Sequence, residues 1–396
     1  RSTPKPSSAA SDVYKRQLLL LSFSVSSSLA KGLPALIPSP PQLAASSYLL
    51  VDANSGKVIV ESNADQRLPP ASLTKMMTGY IASAEITKQT ISAEDMVPIS
   101  VKAWRMKGSK MFIREGTSVP VRELLKGVII QSGNDASVAL AEFIAGDEMA
   151  FSEIMNQQAQ LLGMTQTEFK NSTGWPAEGH LTTARDLTIL AARLIKDFPD
   201  HYALYAQKEF TYNDITQLNR NGLLWRDASV DGLKTGWTEE AGYCLVASAQ
   251  KNGMRLVSVV MGAKSERARE QETQKLLSYG FRYYETHTLY EMGQVVNSSQ
   301  LWAGLEKYFD LVVENDIILT IPRGERDLLE VSIEVDKNIV APVIAGQSYG
   351  VLNIKKGDEL LIQRNIVAAK DVDSAGFLLR LWDLIILFFR GLLGFS

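Results

Sequence analysis

Cysteine is almost missing from this 396-residue chain, and Cys244 stands alone. A single thiol excludes an internal disulfide and any multi-cysteine metal site. Histidine is nearly as scarce. His180, His201 and His287 are scattered and form no H-E-x-x-H pattern, so a zinc hydrolase has no ligand set, and nothing else calls for a metal or cofactor. Charge of one sign is lacking too. With 41 Lys and Arg against 44 Asp and Glu, the net charge of −3 argues against a nucleic-acid partner held by a basic surface. Long uninterrupted apolar runs are also absent. The run 18–29 is too short to span a bilayer comfortably, and the apolar C-terminal run carries Arg380, Asp383 and Arg390.

What remains is ordinary globular material, 45% hydrophobic and 21% charged, long enough for two domains with appendages. Residues 1–17 have no initiating Met and no apolar periodicity, and read as a non-native extension. Residues 18–30 read as the remnant of a secretory signal. They end in Ser28-Leu29-Ala30, with small residues where a signal peptidase needs them, which places cleavage before Lys31. Residues 31–285 mix strand and helix signals. Two short strand-like runs, Tyr48–Asp52 and Lys57–Glu61, flank a turn of Ala53, Asn54, Ser55 and Gly56. Helical segments follow, with breaks at Gln131–Asn134 and around the Gly- and Pro-containing loop 171–180. Apolar strands Tyr243–Ala249 and Met254–Met261 then join through Lys251-Asn252-Gly253, a good hairpin turn. Strands, helices, then strands again predict an α+β domain with an antiparallel sheet and flanking helices. Residues 286–375 carry short β-rich runs and predict a small all-β, sandwich-like domain. Residues 376–396 predict an amphipathic helix lying in a membrane interface, its three charges on one arc.

Three short patterns carry chemistry. Pro70 suits a first helical turn, Ser72 then lies near the helix N-terminus, and Lys75 follows at i+3 on the same face, through to about Ile86. A hydroxyl beside an amine is a nucleophile beside a base. Alone the pattern is weak, since Ser-x-x-Lys recurs at Ser2/Lys5, Ser28/Lys31 and Ser248/Lys251. The second pattern, Ser132-Gly133-Asn134, breaks a helix expected over Val121–Ile130 and aims polar side chains from a helix–helix corner. A simple turn with a capping Asn is the bland alternative. The third, Lys234-Thr235-Gly236, opens a strand. The second and third patterns occur once each, and the order of the three is that of penicillin-binding proteins and class A β-lactamases.

From about Tyr48 onward the chain resembles the low-molecular-mass penicillin-binding proteins, the serine-type D-alanyl-D-alanine carboxypeptidases. The resemblance rests on Tyr-Leu-Leu-Val-Asp-Ala-Asn-Ser-Gly-Lys, Pro-Ala-Ser-Leu-Thr-Lys-Met-Met-Thr, Gln-Ser-Gly-Asn-Asp-Ala, Gln-Leu-Asn-Arg-Asn-Gly-Leu-Leu-Trp and Val-Asp-Gly-Leu-Lys-Thr-Gly. It implies removal of the terminal D-Ala from peptidoglycan pentapeptides through an acyl-enzyme that β-lactams also form. It also implies a location on the periplasmic face of the bacterial inner membrane, peripherally bound through the C-terminal helix. Ser72 is then the expected nucleophile, Lys75 its base and Ser132 the proton relay. Asn134 orients Lys75 and the substrate amide. Lys234, Thr235 and Arg220 hold the substrate carboxylate, with Arg269 a weaker candidate. Gly236 and Trp237 are also expected to bind substrate, and the oxyanion hole pairs the Ser72 N–H with one near Trp237. Burial and the charge of Lys234 are expected to lower the Lys75 pKa. Trp237 departs from the family, which more often has His there. Cys244 is expected in the core. A D,D-endopeptidase, a β-lactamase using Glu178, and a non-catalytic wall-binding protein are the competing readings.

Overall fold

A computed structural model of the chain describes residues 36–392, with side chains as far as 390. The expected extension 1–17 and signal remnant 18–30 lie outside the described residues. The chain divides into two compact units. One is Pro38–Thr288 with Ile318–Thr320, and the other is Leu289–Ile317 with the chain from Ile321 onward.

The larger unit is built on five antiparallel strands. They are β1 (Ser47–Asp52), β2 (Val58–Ser62), β3 (Val230–Thr238), β4 (Gly242–Lys251) and β5 (Met254–Ala263). Their order across the sheet is β2-β1-β5-β4-β3, so β3 is an edge strand. The central strands read as unbroken apolar runs because helices cover both faces. Leu49, Val51, Val257 and Val259 belong to the main core together with Leu187 and Leu194. On the other side, helix α6 (Glu266–Tyr283) packs on β4 and β5, with Gly280 against Leu50 and Leu256.

Helix α1 (Lys75–Thr87) is buried on every side from Lys75 to Ser83. A helix apolar all round, here Met76, Met77, Tyr80, Ile81 and Ala82, belongs inside a domain rather than on its surface. Helix α2 (Val121–Lys126) leads to the corner before α3 (Asn134–Ala145), and α4 (Glu148–Leu162) follows. Helix α5 (Ala184–Asp197) buries Leu187, Leu190, Ala191 and Leu194, the i, i+3, i+4, i+7 stripe of an amphipathic helix. Thr183 caps it, its hydroxyl accepting from Asp186 N–H at 3.0 Å.

Two expectations need correction. Pro70 and Ser72 do not sit in the α-helix. Pro70 precedes a 3₁₀ turn, Ala71–Thr74, and the α-helix begins only at Lys75, because Ala71 has φ +47° and interrupts the helical run. The helix expected over Val121–Ile130 stops at Lys126, and Gly127–Gln131 continue as one wider π-helical turn. Ser132 ends it at φ +65°, a left-handed conformation that forces the chain to turn.

The smaller unit holds a second antiparallel sheet. Its strands are β6 (Val295–Gln300), β7 (Tyr308–Val313), β8 (Leu329–Val335), β9 (Ser348–Lys356) and β10 (Glu359–Ala368), in the order β6-β7-β10-β9-β8. Phe309, Leu311, Leu352, Ile354 and Ile366 form its buried side. Helix α7 (Phe377–Leu392) ends the described chain. Its polar arc faces this unit: the Asp383 carboxylate accepts from Ala303 N–H at 2.8 Å, and Arg390 lies over the Trp302 ring at 5.5 Å. Phe377, Leu378, Trp382, Phe388 and Phe389 are exposed. Among the described residues no helix is long and apolar enough to cross a membrane.

Candidate active site

A cavity of about 710 Å³ opens between edge strand β3, the 3₁₀ turn, the corner before α3 and the loop 171–176. Ser72, Ser132, Asn134, Arg220, Thr235, Gly236, Trp237 and Arg269 all line it. The 3₁₀ turn supplies the first contact. With three residues per turn, positions i and i+3 eclipse, and Lys75 Nζ lies 3.2 Å from Ser72 Oγ. Lys75 is 1% exposed, drawn inside as the first residue of a buried helix. Its amine also donates to Asn134 Oδ1 and to the Thr173 carbonyl, each at 2.6 Å. No carboxylate touches it among these contacts. Burial first, then the positive charge of Arg220, lower its pKa to about 7, against the opposing pull of Asp135 and Glu148. Relative to the ordinary value of 10.5, the site shifts the balance toward the neutral amine by about 5 kcal/mol.

Lys234 is the second buried amine, 3% exposed. It donates to Ser132 Oγ at 2.8 Å and to the Thr235 carbonyl at 3.1 Å. Burial, then Lys75, Arg220 and Arg269, hold it well below the usual lysine range. The two buried lysines disfavour each other's charge, and Arg220 disfavours the charge of both.

β3 lies tight against the 3₁₀ turn. A Cβ on Gly236 would meet the Pro70 carbonyl at 3.1 Å and Ala71 Cβ at 3.2 Å, so only glycine lets the strand come this close to the serine. The corner is fixed from the opposite side. Asn134 N–H donates to the Ser109 carbonyl at 2.8 Å, and its Nδ2 donates to the Lys107 carbonyl at 2.7 Å. Trp237 is half exposed and forms a cleft wall. Its ring lies 5.8 Å from that of Tyr243, its partner across the β3–β4 pairing. Arg269 is buried, with Nη2 donating to Glu266 at 2.6 Å, Nη1 reaching the Gly236 carbonyl at 3.4 Å, and the guanidinium 5.6 Å from the Tyr243 ring centre. Arg220 is the exposed cation at the cavity. Cys244 is fully buried, and burial pushes its thiol up to about 11. Glu178 borders a neighbouring cavity of about 540 Å³ instead of the Ser72 cavity.

Several contributors escape sequence reading. The Thr173 carbonyl is a backbone group, and any residue type offers one. Tyr243 reaches the cleft through strand register. Asp135, next to Asn134, is wholly buried and accepts from Met111 N–H at 2.8 Å, Phe112 N–H at 2.9 Å, Ile113 N–H at 3.3 Å and Ala136 N–H at 2.9 Å. Nothing local in the sequence marks it for this role. Asp135→Ala would leave these buried donors unpaired, an expected loss of about 3–5 kcal/mol in stability by chemical denaturation. A change below about 1 kcal/mol would contradict this role for the carboxylate.

A five-stranded antiparallel sheet, a serine hydroxyl beside a buried amine of lowered pKa, and a second lysine on the edge strand define a serine acyl-transfer hydrolase of the penicillin-recognising fold. The comparisons agree. Residues 35–265 match the family described as D-alanyl-D-alanine carboxypeptidase, and residues 284–374 match the C-terminal domain of penicillin-binding protein 5. The chain is 42% identical to the D-alanyl-D-alanine carboxypeptidase DacA of Escherichia coli, with 91% of each chain covered. It is 41% identical to the E. coli carboxypeptidase DacC, covering 88% of this chain and 90% of that one. The crystal structure of penicillin binding protein 5 from Haemophilus influenzae superposes with a TM-score of 0.81 at 41% identity, covering 85% of this chain and all of that one. The chain belongs to the D-alanyl-D-alanine carboxypeptidase family and is a serine peptidase of that class.

Proposed function

We propose that Ser72 Oγ attacks the carbonyl of the penultimate D-Ala of a peptidoglycan stem pentapeptide, releasing the terminal D-Ala and leaving an acyl-enzyme. Water then hydrolyses the ester. β-Lactams enter the same step, and their opened ring stays on the serine. The observation that carries this reading is the buried Lys75 amine 3.2 Å from Ser72 Oγ, with its pKa lowered to about 7. Lys75 takes the hydroxyl proton as the C–O bond forms. Ser132, held by Lys234, passes its proton to the departing amine nitrogen and regains one from the Lys75 ammonium, which returns Lys75 to the free amine. The Ser72 N–H and an N–H of β3 near Trp237 receive the oxyanion, each donor worth roughly 3–4 kcal/mol in such sites. The substrate carboxylate lands between Lys234, Thr235 and Arg220. It supplies the counter-charge Lys234 lacks, and so favours the ammonium form when substrate is bound.

The sign of the pH dependence follows. The Lys75 pKa is lowered to about 7, so the base becomes competent as pH rises through that value. Acylation is expected to fall about tenfold per pH unit below neutrality and to level off above it. A flat profile between about pH 5 and 8 would exclude Lys75 as the base.

Function is tested by supplying two substrates, a pentapeptide ending in D-Ala-D-Ala and a cross-linked muropeptide dimer. Release of D-Ala from the first with little cleavage of the second supports the carboxypeptidase. The reverse selects an endopeptidase, and cleavage of neither, without penicillin labelling, selects a non-catalytic wall binder. Sustained penicillin turnover would select a β-lactamase, a reading Glu178 does not support from its place at another cavity. The exposed apolar side of α7, with Trp382 and Phe388, supports peripheral attachment at the periplasmic face of the inner membrane.

A further inference from the structure

Behind the cleft runs a brace of side chains that the acyl-transfer step leaves unused. Asn171 Oδ1 accepts from the N–H groups of Thr173 at 3.1 Å, Gly174 at 2.8 Å and Trp175 at 3.1 Å, and from the Thr173 hydroxyl at 2.9 Å. Its Nδ2 donates to the Trp175 carbonyl at 2.9 Å and faces His180 Nδ1 at 3.4 Å. An amide NH₂ only donates, so Nδ1 accepts and carries no proton. The proton then sits on Nε2, which donates to Thr74 Oγ1 at 3.0 Å. Burial, and then the charge of Lys170, pull the imidazole down to about 4, which keeps it in this neutral form. Thr74 and His180 are both buried. The brace therefore joins the loop 171–175 to the turn between Ser72 and Lys75.

At the centre of that loop is the Thr173 carbonyl, 2.6 Å from Lys75 Nζ. A neutral amine has two N–H bonds and one lone pair. Asn134 Oδ1 and the Thr173 carbonyl take the two N–H bonds. The lone pair is left for the third neighbour, Ser72 Oγ, whose O–H then donates to nitrogen. Loosening the Thr173 carbonyl lets the amine rotate and lose this aim.

We propose that Asn171 and His180 are positioning residues for the base, locking the Thr173 carbonyl onto Lys75 so that the amine lone pair points at Ser72. The inference rests on Lys75 acting as the base. The charged groups that also act on Lys75 are Arg220, Asp135 and Glu148, with Lys234 buried nearby, and the variants below leave all four in place.

The test is the acylation rate with a fluorescent penicillin across pH, normalised to titrated active sites so that misfolded protein does not count. Asn171→Ala is expected to slow acylation by roughly 30–100-fold, the scale of an ångström of misplacement. Its acid limb is expected to move to lower pH by about half a unit, because the ammonium form loses an acceptor. Asn171→Asp keeps the four-fold acceptor but sets an oxygen in place of the Nδ2 donor against the Trp175 carbonyl and His180 Nδ1, so only a partial recovery of the rate is expected, with the limb moved to higher pH by the added negative charge. His180→Phe keeps the ring shape but cuts the link to Thr74, and a loss of about 5–10-fold is expected. It decides the matter should Asn171→Ala fail to fold. Unchanged rate per active site and an unmoved limb in these variants, with a wild-type limb near neutrality, would overturn the brace alone. A wild type without that limb would overturn the base assignment beneath it.

Discussion

Lys75→Met is expected to cut acylation of Ser72 by about 10³-fold while the fold survives, within the range for loss of a general base. Methionine fills nearly the same buried volume, so packing changes little. What disappears is the only nitrogen within hydrogen-bond distance of Ser72 Oγ in the described contacts. A hydroxyl without a base is a poor nucleophile near neutral pH. The measurement is the second-order rate of labelling by a fluorescent penicillin, with circular dichroism to show that the fold persists. The residual activity should also lose its rise through neutral pH, because the titrating group is gone. Labelling within about tenfold of wild type would place the base elsewhere.

Gly174→Ala is the second large effect. Gly174 has φ +81°, and a Cβ there would stand 1.7 Å from the Ala71 carbonyl oxygen and 3.0 Å from Ser72 N. Both neighbours are backbone, and Ala71 is itself at φ +47°, so no flexible side chain can give way. The turn carrying Ser72 must shift. An expected stability loss of about 2–4 kcal/mol combines the conformational cost with overpacking. Acylation should drop by about 100-fold or more, since the nucleophile moves with the turn. Gly163→Ala is the matched control. Its φ is +84°, yet nothing lies within 4 Å of the added Cβ. It should cost only about 1 kcal/mol and leave acylation unchanged. Equal behaviour of the two variants would mean that the contact with Ala71 is unimportant.

These two positions show what the sequence made legible and what it did not. Ser72 with Lys75, Ser132 with Asn134, and Lys234 with Thr235 and Gly236 are each local pairings. Each announces itself within three residues, and the fold brings all three to one cavity. The α+β sheet was readable for the same reason. Its core strands are unbroken apolar runs, and α5 shows a clean apolar stripe. Contacts made by backbone atoms across long sequence distances left no trace. The Thr173 carbonyl on Lys75 and the approach of Gly174 to Ala71 depend on how a loop folds back. Strand β6, Val-Val-Asn-Ser-Ser-Gln, has too little apolar alternation to announce itself, and it pairs through backbone register with β7. Pro70 and the i, i+3 spacing of Ser72 and Lys75 suit an α-helix and a 3₁₀ turn equally, so the sequence does not separate the two. The difference matters for chemistry, since three residues per turn bring Lys75 directly over the serine.

The most direct measurement is to map the covalent product. The full chain is treated with penicillin, digested, and its peptides weighed, with Ser72→Ala in parallel. The expected result is one adduct of the intact penicillin mass, confined to the peptide that contains Ser72 and absent from the variant. An adduct on Ser132, or D-Ala release that persists in Ser72→Ala, would contradict Ser72 as the nucleophile.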